Sequence, residues 1–226
     1  MNEVNLAKNP AQRTPCILIL DHSASMDAVG DNKRQRIAEL NDGIAAFVES
    51  LKQDSLALSR VQIAIVSCGG ESAGLMLDWT DAIDFEPFEL TANGGTPLGE
   101  AVVIALDAVK THKATLREYG IPYTRPWIII LTDGEPTDED DVWNNACQLA
   151  NEAESKGSVE IFPIGVGGAD MRKVSAISKR PPLKLEGMRF RELFVWLSSS
   201  LGQVTRSTPN TNIDLPTPGS WASVKL

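Results

Sequence analysis

At 226 residues with a formal net charge of −9, the chain is long enough to bury a sizeable core, as one domain with a tail. The acidic balance argues against nucleic acid as the main partner, because phosphate recognition needs a basic face. Cys16, Cys68 and Cys147 lie in apolar contexts without Cys-x-x-Cys spacing, and with no signal-like or membrane-spanning apolar run this predicts a cytoplasmic protein in a reducing compartment.

Residues 1–14 carry no periodicity and read as a lead-in to a domain over 15–202. Cys16 to Leu20 is a short apolar run of the kind found in buried parallel strands. Residues 27–33 hold turn-forming types. From about 35 to 53, Ile37, Leu40, Ile44, Phe47, Val48 and Leu51 recur at helical spacing. Val61 to Val66 reads as a second strand and Leu75 to Trp79 as a third. Thr96 and Pro97 suit the start of a helix whose buried side is Leu98, Ala101, Val102, Ala105, Leu106 and Val109. Thr111 to Pro126 is polar and turn-rich and reads as a long connection.

The next strand begins at Trp127 and contains Ile128-Ile129-Ile130-Leu131. Thr137 and Asp140 resemble a capping box for a helix carrying Val142, Ala146, Leu149, Ala150 and Ala153. Val159 to Val166 is a further strand. A short helix over 171–178, a weak strand at 183–185 and a helix with Phe190, Leu193, Phe194, Leu197 and Leu201 complete the domain. Residues 203–226 form a Ser/Thr/Pro-rich tail, although Leu215 to Trp221 is too apolar for an inert linker, so it either packs back or docks a partner. The alternation predicts an α/β fold, a doubly wound and mainly parallel sheet with helices on both faces.

Such sheets bind ligands at the carboxyl ends of their strands, where the strand order reverses. Asp21, Ser23 and Ser25 follow the first strand at alternate positions. Thr132-Asp133-Gly134 ends a later strand, and Thr96 lies in the turn that opens a helix. Each alone has a plain explanation, as turn or cap chemistry. Together Asp21, Ser23, Ser25, Thr96 and Asp133 form an all-oxygen set suited to a hard divalent cation. Mg²⁺ fits best, since it takes one or two carboxylates and keeps waters; Mn²⁺ and Ca²⁺ are alternatives.

Asp-x-Ser-x-Ser, Gly-Gly-Thr and Thr-Asp-Gly in this order resemble the von Willebrand factor A (vWA) domain, over roughly Pro15 to Gly202. The resemblance implies that the five residues form a metal-ion-dependent adhesion site, in which the cation receives a carboxylate from a protein partner. The short form and the stretch Thr132-Asp133-Gly134-Glu135-Pro136-Thr137-Asp138 look most like bacterial tellurium-resistance (TerY-like) proteins. That implies a tellurite, stress-response or defence setting, with kinase- or phosphatase-like partners. The function expected is metal-dependent protein binding and not catalysis, and His22 is expected beside the site without ligating.

Two further signals were weighed. Gly70-Glu71-Ser72-Ala73-Gly74 matches the nucleophile elbow of an α/β hydrolase, which would make Ser72 catalytic; but the elbow needs a following helix and a downstream His. Here a strand follows, and His112 is expected to face water. The acidic run Asp138 to Asp141 lacks the spacing of a calcium loop and is expected to be a solvated helix start. A scaffold with a non-essential metal site is a further alternative. Since two nearby carboxylates without a cation repel each other, deleting Asp21 or Asp133 is expected to hold or raise metal-free stability.

Overall fold

In the computed structural model the described residues are 10–30, 33–207, 215–216, 219 and 222–224. The apolar runs form strands because both faces of each are covered. β1 (Thr14–Asp21) and β4 (Trp127–Thr132) are buried along their whole length, the pattern of a parallel sheet between two helical layers. With β2 (Val61–Cys68), β3 (Gly74–Asp81), β5 (Glu160–Val166), β6 (Leu183–Leu185) and β7 (Ala222–Val224) they make one seven-stranded sheet. Its order is β3-β2-β1-β4-β5-β6-β7. β2, β1, β4, β5 and β6 run parallel, and the edge strands β3 and β7 are antiparallel to their neighbours.

Alternate residues of each strand feed opposite cores. Leu18, Leu20, Ile63, Ile65, Ile129 and Leu131 belong to the cluster shared with α1 (Arg36–Lys52), α2 (Ser55–Arg60) and the last helix. Ile17, Ile19, Ala64, Val66, Ile128 and Ile130 face the cluster shared with α3 (Leu98–Glu118) and α4 (Asp140–Ser155). α5 (Met171–Ala176) and α6 (Phe190–Arg206) complete the set. The doubly wound α/β architecture read from the alternation is therefore the observed one. Among the described residues no helix is long and apolar enough to cross a membrane.

Two expectations are corrected, and one left open is decided. α3 continues past Thr111 to Glu118; its last turns bury Val109, His112 and Leu116, a helical spacing masked by polar neighbours and by a histidine in one of the three places. No side-chain capping bond precedes α4, whose cap position is Glu139 and not Thr137; the Thr137 hydroxyl accepts a bond from the Thr96 amide at 3.0 Å. The tail, as far as it is described, packs back. Leu215 joins the core, the Trp196 indole donates to Pro216 O at 2.7 Å, and β7 pairs with β6.

His112 does not face water. It is 3 % exposed, stacks on Trp79 with ring centres 4.2 Å apart, and its Nε2 lies 2.8 Å from Gln62 Oε1. Burial lowers its pKa from 6.5 to about 3. Between those values the unfolded chain binds a proton that the folded chain refuses. Its contribution to stability is therefore complete above 6.5 and is lost as pH falls toward 3, with a slope approaching ~1.4 kcal/mol per pH unit. His112→Gln is expected to show a shallower acid limb than wild type in urea unfolding across that window; superimposable slopes would show that His112 is not the group responsible.

Candidate metal centre

The strand order places the switch point between β1 and β4, since the chain leaves β1 toward β2 on one side and later returns to β4 on the other. Leu20 pairs with Leu131 across this junction, so the next residues, Asp21 and Thr132, end their strands side by side. The Thr132 hydroxyl donates to Asp21 Oδ2 at 2.6 Å, and the Ser23 amide donates to Asp21 Oδ1 at 2.8 Å. Asp21 is wholly buried. Desolvation raises its pKa above the ordinary aspartate value, against those hydrogen bonds and with a smaller push from the Asp133 charge. A negative charge here is uncomfortable.

From Asp21 the oxygens run outward in a row. Ser23 Oγ and Ser25 Oγ are 2.8 Å apart, and Ser25 Oγ donates to Asp133 Oδ1 at 2.6 Å. A hydroxyl has one proton. With Ser25's given to Asp133, Ser23 donates to Ser25 and keeps both of its own lone pairs. Thr96 joins the group from the opposite side: a β-carbon placed on Gly134 would lie 3.0 Å from Thr96 Oγ1 and 3.7 Å from Ser25 Oγ. Thr96 is not the helix cap expected of it. That position is Pro97, which contributes no side-chain bond, and the Gly99 and Glu100 amides donate to Asp138 at 2.8 and 3.0 Å.

Asp138 is thus fixed across the site, whereas Glu139, Asp140 and Asp141 are exposed at the start of α4, as expected of a solvated helix entry. The Asp138 carboxylate satisfies the start of α3, and Thr137 N–H donates to Thr96 O at 2.9 Å. These bonds clamp the segment after β4 to the segment before α3. On the other flank, Asn93 N–H donates to His22 O, Gly70 N–H to Asn93 O, and Ala24 N–H to Gly94 O, at 2.8, 2.8 and 2.9 Å. Gly94 has φ +63°, and a β-carbon there would approach Gly70 Cα to 2.4 Å, so only glycine permits this crossing. His22 packs its ring on Gly69 and places Nδ1 3.0 Å from Thr91 O. These contacts tie the turn after β1 to the segment around Thr91 and to Gly69.

Ser72 lies exposed in the turn joining β2 to the antiparallel β3, with no helix after it. His112 contacts Gln62 near the start of β2, whereas Ser72 follows that strand's end. The elbow geometry is absent at Ser72.

The residue that sequence reasoning missed is Arg36. Its Nη1 donates to Asp133 Oδ2 at 2.5 Å, with the Asp133 side chain fully buried and that of Arg36 20 % exposed. Nothing in the local sequence pairs positions 36 and 133. The only available signal was an arginine at the start of an otherwise ordinary amphipathic helix. Among the described residues no group of three or more His, Cys, Asp or Glu side chains is placed to hold a metal. A centre here would rest on two carboxylates and three hydroxyls, and the donor set fits a hard cation that accepts neutral oxygens and water.

A family model for the von Willebrand factor type A domain matches residues 16–192. Matrilin-3 of Gallus gallus is 33 % identical over 91 residues, which is 39 % of this chain; the match spans only 18 % of matrilin-3's length. Among solved structures, the pilus adhesin SpaC of Lactobacillus rhamnosus GG aligns with a TM-score of 0.60 at 14 % identity, over 85 % of this chain and 31 % of that one. Manganese-loaded Plasmodium vivax TRAP protein aligns at 0.50 and 18 % identity, over 74 % and 62 % of the two chains. At such identities the structural likeness speaks for the fold.

Two variants follow from this geometry. The expectation that deleting Asp133 relieves repulsion reverses, because Asp133 balances Arg36. Asp133→Ala should lower stability in EDTA by about 1–3 kcal/mol, the cost of leaving a mostly buried guanidinium without its acceptor. An unchanged or raised unfolding free energy would contradict the pair's importance. Ser72→Ala should shift stability by less than about 0.5 kcal/mol, as for exposed positions without special contacts, and should alter no esterase background; loss of a measurable hydrolysis would restore the enzyme reading.

Proposed function

Since the chain belongs to the von Willebrand factor type A domain family, we propose that it is a metal-ion-dependent protein-binding module. Asp21, Ser23, Ser25, Thr96 and Asp133 would hold one divalent cation, Mg²⁺ or, in its place, Mn²⁺ or Ca²⁺. The observation that supports this most is the chain of hydrogen bonds from Asp21 to the Ser23 amide and from Ser23 Oγ through Ser25 Oγ to Asp133, with Thr96 Oγ1 and Ser25 Oγ 3.0 and 3.7 Å from the place a Gly134 β-carbon would take. A bound cation would supply an electrophilic position for a carboxylate. The chain's own residues do the rest: Thr132 and the Ser23 amide orient Asp21, Ser25 orients Asp133, and the clamped loops fix Thr96.

The ligand proposed is an acidic side chain on a protein surface, and the activity proposed is capture, not turnover. The TerY-like pattern supports a finer proposal: a cytoplasmic part in a tellurite or stress-response system, alongside kinase- or phosphatase-like proteins. On the same reading the adhesion domain covers 15–202, with 1–14 and 203–226 as flanking segments, the second of which supplies the end of α6 and the edge strand β7. One observation favours a different outcome, a scaffold in which the cation is dispensable. Arg36 already balances Asp133, so the site does not depend on a cation for that carboxylate.

The two are separated by melting and capture. Mg²⁺ or Mn²⁺ is expected to raise the melting temperature, since a ligand bound only by the folded state stabilises it by mass action, about 2.7 kcal/mol at a hundredfold excess over Kd. Zn²⁺ should give no comparable effect. EDTA and Asp21→Ala should both abolish partner capture. Absence of any bound cation by calorimetry would sink the metal centre; capture that is indifferent to EDTA would leave the scaffold.

A further inference from the structure

Arg36 is held in place with some care. It is the first residue of α1, its backbone N–H donates to Ala28 O at 3.0 Å, and its guanidinium lies against the turn after β5. At Gly167, φ +55°, a β-carbon would come within 2.9 Å of Arg36 Cζ. Larger residues there would displace the arginine. Its neighbours do not compete for the site: Arg34 reaches Glu39 and Asp42 at 2.9 and 2.8 Å, and Gln35 donates to Asp27 at 2.7 Å. Arg36 alone of these three is aimed at Asp133, and its Nε is buried without a hydrogen-bond partner. That atom's desolvation is tolerated for the placement of Nη1.

Resting on the metal-site reading above, we propose that Arg36 is a resident positive charge that makes cation binding depend on the partner's carboxylate. Asp138 is already taken up by the Gly99 and Glu100 amides at the start of α3; of the remaining groups, Asp21 and Asp133 contribute two negative charges and Arg36 one positive, so the cluster is formally −1 and not −2. A divalent cation takes it to +1. An incoming carboxylate then brings it to zero. In a partly buried site an unbalanced charge is costly, so the binary complex is penalised and the ternary complex is not. The cation and the acidic side chain each raise the other's affinity, and by linkage the two effects are equal. The arginine also donates to one oxygen of Asp133 while Ser25 donates to the other, so both oxygens of the carboxylate are held in place. Arg36 is thus a positioning and specificity-determining residue that acts through Asp133.

The test titrates Mn²⁺ into wild type, Arg36→Gln and Arg36→Lys by calorimetry, with and without sodium acetate as the carboxylate probe. Arg36→Gln is expected to bind Mn²⁺ alone about tenfold more tightly or better, because it lacks the opposing charge. Acetate should tighten Mn²⁺ binding in wild type and do so less in Arg36→Gln. Arg36→Lys, which keeps the charge, should stay close to wild type in both respects. If Arg36→Gln folds poorly without metal, the Mn²⁺-induced rise in melting temperature is compared instead, and it should exceed that of wild type. Equal or weaker Mn²⁺ binding by Arg36→Gln, or an equal acetate effect in both proteins, overturns the role of Arg36 and leaves the metal centre standing. Failure of every protein, wild type included, to bind Mn²⁺ overturns the metal centre and this role with it.

Discussion

Everything at the functional end of the sheet depends on where one buried carboxylate is held. Asp21 ends β1 in register with the last residue of β4, at the junction where the chain's direction of travel across the sheet reverses. A charge taken out of water costs several kcal/mol unless it is paired and hydrogen-bonded. The surroundings supply bonds from Ser23 N–H and the Thr132 hydroxyl, but these fall short of offsetting the burial, and the pKa of Asp21 stays raised. A site built this way favours a positive charge close by. The row of hydroxyls shows the direction from which it can come, because the row leads from the buried Asp21 to Ser25 at the exposed edge.

Compensation reaches the cluster from both helical layers. Thr96 precedes α3, which packs on one face of the sheet, and Arg36 begins α1, which packs on the other. Neither could reach the strand ends from within its own layer, so the site exists only where the layers meet beyond the sheet. That explains the density of backbone bonds there. The 91–96 segment is tied to both His22 and Gly70, and the 134–138 segment is tied to Thr96 and the start of α3. Loops of this kind would ordinarily be the least stable part of a domain. Here they are tied by hydrogen bonds to one another and to the strand ends, which is what positioning five oxygens requires.

The sequence made the fold legible because parallel strands covered on both faces leave unbroken apolar runs, as at Ile17 to Leu20 and Ile128 to Leu131. Their period-two split into two cores is invisible in such a run but does not affect the assignment. The five oxygen-bearing residues were legible too, as types at defined places after strands and before a helix, and the structure brings them to one end of the sheet. What escaped was long-range pairing of common residues. Arg36 with Asp133 and Asp138 with the start of α3 are contacts between positions that look ordinary in isolation. His112 escaped for a different reason: a polar residue at a helical core position reads as solvent-facing, and its burial between Trp79 and Gln62 shows otherwise. β7 was missed because three residues of strand inside a Pro-rich tail carry no periodicity.

The overall charge sets a condition on what such a site can capture. With a formal net charge of −9, the chain repels an acidic partner at distances beyond the contact itself, and at physiological ionic strength salt limits the reach of that repulsion to about 8 Å. If the site works by taking a carboxylate, the attraction is short-ranged and confined to the cation and Arg36, whereas the repulsion belongs to the whole surface. A uniformly acidic partner would lose more on approach than a single carboxylate could regain. The surface that fits is one where an isolated acidic residue stands among neutral or basic neighbours. Its basic neighbours are drawn in by the chain's field, and its carboxylate is met at the proposed cation, where Arg36 lowers the negative charge of the cluster.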